Sequence, residues 1–200
     1  AKMGADITCI DINQSAIEET KKALVSFNVN KTFIQTSLED LPNHLNDETF
    51  DLVFSWGVLH HTKKFNQSFE NICRYCKEQG LLYLYLYGRE SISYDKDIKF
   101  FKERIYYNSL ISEEEKYKFL LEKACGNKEQ IHNFHDEYAP LINRRLMFNE
   151  IKEFLKKRDF INIIRTIDHT ELFVRAQKKT TNNDIPFLQP KKPPYWFQSI

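Results

Sequence analysis

The feature that most constrains this chain is the alternation, in its first half, of short apolar runs with segments of helical period. Residues 7–12 (Ile-Thr-Cys-Ile-Asp-Ile) read as a buried strand ending on an acid, after a turn signal at Gly4-Ala5. Residues 14–28 read as a helix, with Ala16, Ile17, Ala23, Leu24 and Phe27 on one face and Glu18, Glu19, Lys21 and Lys22 on the other. Asn13 or Ser15 can cap its start. Further strands are expected at 31–36, 50–55 and 81–87, and a helix at 64–77. A polar loop over 37–49 and a turn at Lys77-Glu78-Gln79-Gly80 separate them. Strands that are apolar throughout need cover on both faces. The prediction is an α/β fold with a doubly wound, mostly parallel sheet.

The rhythm changes after Gly88. Helical stretches near 96–107 and 112–124 and a loop over 132–145 contain no strong strand, so 89–147 reads as a helical insertion capping the ligand side. A helix at 148–158 and strands at 160–168 and 171–177 close the domain, which is expected to span 1–178. A two-residue turn at Asp168-His169 would make the last strand antiparallel. Residues 179–200 read as an extended tail carrying Lys191-Lys192, Pro193-Pro194, Tyr195, Trp196 and Phe197.

Charge narrows the function. A net charge of +1 over 200 residues gives no strong field for nucleic acid or an anionic membrane. No apolar run reaches the ~18 residues of a membrane span, and no signal peptide is read at the start. Cys9, Cys73, Cys76 and Cys125 read as reduced thiols, which places the protein in the cytoplasm. Cys73 and Cys76 fall in the predicted helix without a second pair, and His132-x-x-His135-Asp136 lacks a third ligand at reliable spacing, so no metal is expected. The chain opens on Ala1 and enters its first strand almost at once, as a fragment of a longer protein would.

In an open α/β sheet, ligands bind beyond the carboxyl ends of the strands. Here those ends carry Asp11, residues 37–40, residues 55–61 and Tyr87-Gly88. Asp11 can accept hydrogen bonds from the two hydroxyls of a ribose, or cap the helix that follows. Of His60 and His61, His61 can serve as a base or orient an acceptor; otherwise one packs on the sheet and the other caps a turn.

The run Phe50-Asp51-Leu52-Val53-Phe54-Ser55-Trp56-Gly57-Val58-Leu59-His60-His61 resembles the fourth-strand motif of class I S-adenosylmethionine-dependent methyltransferases. Gly80-Leu81-Leu82-Tyr83-Leu84 is similar to their fifth strand, although Glu78-Gln79-Gly80 replaces the usual Pro-Gly-Gly-like turn. Ser37-Leu38-Glu39-Asp40-Leu41-Pro42 resembles their adenine-side loop, with Ser37 where relatives often carry Asp. The resemblance implies S-adenosyl-L-methionine as cofactor, met by Asp11, Ile12, Ser37, Leu38, Glu39, Ser55, Trp56 and Gly57. It implies a small-molecule acceptor touched by Asp136, Tyr138, Arg144 and Arg145, with His61 and Tyr87 as catalytic candidates. The family's glycine-rich first motif is absent and is expected ahead of Ala1, so the fragment alone is expected to be inactive. Two other readings use the same residues: a nicotinamide-dependent oxidoreductase, which would also need Asp11, and a methyltransferase-like scaffold without activity.

Overall fold

A computed structural model describes residues 1–180. Strand β1 (Ile7–Asp11) leads into helix α1 (Gln14–Leu24) and strand β2 (Lys31–Gln35). The Asn13 side chain caps α1 by accepting from Ser15 N. Helix α1 ends four residues earlier than its pattern suggested, at Leu24. Strands β1 and β2 pair in parallel, with Cys9 beside Phe33 and Ile10 beside Ile34.

The expected loop at 37–49 contains a short helix, α2 (Pro42–Leu45). Pro42 presets the backbone for a first turn, and Leu41 and Leu45, four residues apart, are both buried. Strand β3 (Phe50–Trp56) and helix α3 (Phe65–Arg74) follow, with one 3₁₀ turn at Leu59–His61 between them.

Strand β4 (Cys76–Leu86) begins earlier than expected. The residues read as a turn form an irregularity inside it: pairing jumps from Phe50↔Cys76 to Leu52↔Leu81, and Gln79 takes a positive φ of 63°. Gly80 is required there, because a Cβ would lie 2.9 Å from Lys77 O and 3.1 Å from Phe50 O. Cys76 is therefore a strand residue, not a helical one, and only Cys73 lies on α3. Burial pushes the Cys73 thiol up to about 12 and the Cys76 thiol up to about 11, so both are inert.

Helices α4 (Tyr94–Ser109), α5 (Glu113–Lys123) and α6 (Ile131–Tyr138) make the insertion. Helix α6 replaces part of the predicted loop at 132–145. Ile131, Phe134 and Tyr138 share one face and pack with Tyr107 and Leu120. Helix α7 (Phe148–Lys156) and strands β5 (Phe160–Arg165) and β6 (Leu172–Lys178) complete the fold. The β5–β6 connection is longer than the predicted Asp168-His169 turn, since β5 ends at Arg165 and β6 begins at Leu172. Strand β6 pairs antiparallel with β5, as expected, and also with β4. The aromatic and lysine pairs of the tail lie outside the described residues.

The strands form two sheets, β1-β2 and β3-β4-β6-β5. The larger packs one face, with Leu82, Leu84, Leu86, Val174 and Ala176, against Phe69, Ile72 and Cys73 of α3 and Ile151 and Leu155 of α7. Phe69 and Phe154 stack at 4.0 Å within this core. Helix α1 lies over the other face of the smaller sheet, with Lys21 above the Phe33 ring. Winding thus reverses between β1 and β3.

Candidate cofactor and acceptor site

The carboxyl ends of β1, β2 and β3 meet at a cavity of about 620 Å³. Asp11, Ile12, Ser37, Leu38, Glu39 and His61 all line it, so six of the sequence-predicted residues come together. Apolar walls come from Ile10, Leu38 and Val58, and the insertion closes one side with Asn108 and residues 139–142.

Asp11 uses one carboxylate oxygen locally. Its Oδ1 accepts from Asn13 N at 2.7 Å, which holds the strand-to-helix turn that Asn13 then caps. Ser37 Oγ donates to Asp40 Oδ2 at 2.7 Å, so its hydroxyl shapes the loop. Glu39 Oε1 accepts from Lys64 N at 3.1 Å at the start of α3. Burial raises the Glu39 carboxyl, but the backbone hydrogen bonds outweigh it and hold the group below the usual carboxylate range. Asn71 Nδ2 donates to Leu38 O at 2.7 Å and fixes the same loop from beneath.

His61 Nδ1 lies 2.6 Å from the carbonyl oxygen of Ile142. A carbonyl can only accept, so Nδ1 carries the proton and Nε2 keeps a free lone pair. Burial lowers the affinity of His61 for a second proton, and the Arg104 charge adds to this against the Ile142 bond. His61 is therefore neutral at pH 7. His60 behaves differently. It is fully buried, neither ring nitrogen has a partner among the described residues, and it stacks on Tyr87 at 4.0 Å. Burial, with the neighbouring His61 and Arg145, pushes its pKa down to about 2. It is a core residue, as the packing alternative foresaw for one of the pair.

The remaining predicted residues sit elsewhere. Ser55 and Trp56 line a neighbouring cavity between β1 and β3. Gly57, at φ 70°, donates its N–H to Tyr85 O, and a Cβ there would reach the Tyr85 ring at 3.6 Å. Tyr87 packs on both histidines; burial and the Glu171 and Glu137 charges raise its pKa above the ordinary phenol value. That makes it a poor base.

None of the four acceptor candidates lines this cavity. Asp136 is an exposed α6 residue facing His132 and His135 at 3.5 and 3.7 Å. Tyr138 is buried inside the insertion, where its hydroxyl donates to Glu103 Oε2 at 3.0 Å. Arg144 donates to the carbonyl oxygens of Thr62 and Lys63, strapping down the loop after His61. Arg145 donates to Asp97 Oδ1 at 3.0 Å and Ser91 Oγ at 2.6 Å, with Glu171 at 3.8 Å. Sequence reasoning missed Asn108 and Ile142, which line the cavity with His61 only through the folded insertion and have no local signal. Among the described residues no cluster of three metal-ligating side chains forms, and no helix is long and apolar enough to cross a membrane.

Two sheets with helices on opposite faces, β6 inserted antiparallel between β4 and β5, and a cavity at the carboxyl strand ends match the fold of class I S-adenosylmethionine-dependent methyltransferases. Residues 1–84 match the family model described as a methyltransferase domain. An S-adenosylmethionine-dependent methyltransferase from Methanosarcina mazei is 17% identical with a TM-score of 0.53, covering 88% of this chain and 84% of its own. Magnesium protoporphyrin IX methyltransferase from Synechocystis, solved with S-adenosylhomocysteine bound, is 14% identical with a TM-score of 0.53, covering 90% and 67%. A possible exported protein from Bordetella parapertussis is also similar, at 14% identity and a TM-score of 0.53, covering 88% of this chain but 54% of its own. The chain thus spans about half the length of that protein. No curated protein matches it in sequence.

Proposed function

We propose that the chain belongs to an enzyme that transfers a methyl group from S-adenosylmethionine to a small-molecule acceptor. The observation that carries this reading is the single cavity shared by Asp11, the 37–39 loop and His61. Its volume falls within the roughly 300–1,000 Å³ usual for such ligands. The Asp11 oxygen not held by Asn13 is suited to a ribose hydroxyl, and Ile10, Leu38 and Val58 to an apolar ring. The cofactor supplies an electrophilic methyl group when bound. Asn108 and residues 139–142 would line the acceptor side and exclude water there. His61 Nε2 would take the proton that an oxygen or nitrogen acceptor loses.

We assign residues 1–178 to the methyltransferase domain, with the insertion at 89–147, and place the protein in the cytoplasm on the strength of its free thiols. The test is calorimetric titration of S-adenosylhomocysteine into the protein that carries this chain. Saturable binding is expected, weakened by about 1–3 kcal/mol in Asp11→Ala through loss of a charged hydrogen bond. Binding of a nicotinamide dinucleotide instead would select the oxidoreductase reading, and binding of neither would select the scaffold.

A further inference from the structure

Arg104, on α4, is only 3% exposed. A buried charge is costly unless its partners repay it. Here the hydrogen-bond partners are neutral oxygens. Nε donates to the carbonyl oxygen of Glu137, in α6, at 2.8 Å. A guanidinium carries donors only, so the Asn143 amide turns its oxygen to it, and Nη1 and Nη2 donate to Oδ1 at 3.2 and 2.5 Å. The Phe100 ring lies 5.7 Å away, a cation–π contact within α4. One planar, rigid fork thus ties α4 to α6 and to the chain that follows α6.

Asn143 stands between two residues that grip the histidine loop instead. Before it, the Ile142 carbonyl oxygen meets His61 Nδ1 at 2.6 Å. After it, Arg144 N donates to His60 O at 3.0 Å, and the Arg144 guanidinium donates to the carbonyl oxygens of Thr62 and Lys63. The carbonyl that meets His61 belongs to the peptide unit joining Ile142 to Asn143. That unit is planar and includes the Asn143 Cα. Holding Asn143 therefore holds the direction in which the Ile142 oxygen points.

We propose that Arg104 is a positioning residue for His61: gripping Asn143, it keeps the Ile142 carbonyl on Nδ1, so that the basic lone pair stays on Nε2. An imidazole that loses such an acceptor is free to carry its proton on Nε2, which is then no base. Other groups facing the ring make no hydrogen bond to it among the described residues. His60 and Tyr87 meet it through ring contacts at 4.1 and 5.6 Å, and the charges of Arg104 and Asp136 act on it in opposite senses. The use of Nε2 as a base rests on the function proposed above; the tautomer itself does not.

Nitrogen NMR of the imidazoles tests this without cofactor or acceptor, in the protein that carries this chain labelled with ¹⁵N-histidine. His61 is expected to show a protonated Nδ1 and a bare Nε2 at neutral pH. In Asn143→Ala and in Arg104→Met the form protonated on Nε2 should become the major one. Asn143→Asp keeps an acceptor for the guanidinium and should keep the native tautomer. His60, whose ring nitrogens are buried without partners among the described residues, should hold its signals in all three and so report intact packing. Should Arg104→Met not fold, the two Asn143 variants decide. The proposal is overturned if His61 is protonated on Nε2 in the unaltered protein, or if Asn143→Ala keeps the native tautomer. It is overturned too if Asn143→Asp loses the tautomer as Asn143→Ala does, or if His60 shifts along with His61, since either marks general loosening and not a specific hold. Methyl transfer can fail while this tautomer result stands, and S-adenosylhomocysteine can bind while it fails.

Discussion

The carbonyl oxygen of Ile142 fixes the tautomer of His61 from 2.6 Å away, across 81 residues of sequence. The insertion therefore decides which histidine nitrogen faces the cavity, and four consequences of this architecture can be measured.

Replacing His61 by Ala should lower kcat by about 10²–10⁴ if it is the base, with the affinity for S-adenosylhomocysteine unchanged. Since its pKa lies below the ordinary 6.5, the rate should rise with pH on the acid side and level off before neutrality. A pH-independent rate and a nearly active His61→Ala variant would show that the acceptor needs no base.

His60 makes stability depend on acid. Its folded pKa of about 2 is far below the ordinary 6.5, so the unfolded chain binds the extra proton between these values. The stability it permits is complete above about pH 6.5 and is lost as pH falls below it, by about 2 kcal/mol at pH 5. Urea unfolding at pH 5 and pH 8 should show this slope. His60→Phe should flatten it, leaving the smaller contribution of His61, which has the same sign.

Arg145 ties the insertion to the sheet through Asp97 of α4, Ser91 and Glu171. Its side chain is 12% exposed, and removing it takes that partner from Glu171 and Asp97, which are 18% and 38% exposed. Arg145→Met should cost about 1–3 kcal/mol after allowance for solvent at Asp97. Limited proteolysis should then cut within 89–147 before cutting the sheet. Equal cleavage in both proteins would refute a tethering role.

Gly88 has no room for a side chain. A Cβ would collide with the Thr170 carbonyl, and the Gly88 N–H is committed to Glu171 Oε2 at 2.5 Å. Gly88→Ala should destabilise the domain by about 1–3 kcal/mol, seen as a lower denaturant midpoint with an unchanged slope.

Strand-end chemistry was legible in the sequence because period and position are local. Asp11, Ser37, Leu38 and Glu39 follow from where β1 and β2 stop. Helix α6 was hidden because His132, Asn133, His135, Asp136 and Glu137 dilute its apolar face, which only the insertion's own core reveals. The start of β4 was hidden because Lys77-Glu78-Gln79-Gly80 has the composition of a turn yet bulges within a strand. Tyr138, Arg144 and Arg145 looked like acceptor contacts by chain position. Their partners are Glu103, Thr62 and Asp97, and no local pattern shows pairings that remote.

Strand β6 is the last of the described strands, yet it lies inside its sheet, between β4 and β5. During synthesis, β4 must wait for the entire insertion and α7 to leave the ribosome before its partner exists, a delay on the order of ten seconds at usual elongation rates. Through that interval the Tyr83–Tyr85 edge stands open. Nascent chains stalled within the insertion should therefore be the ones that a trigger-type chaperone holds longest.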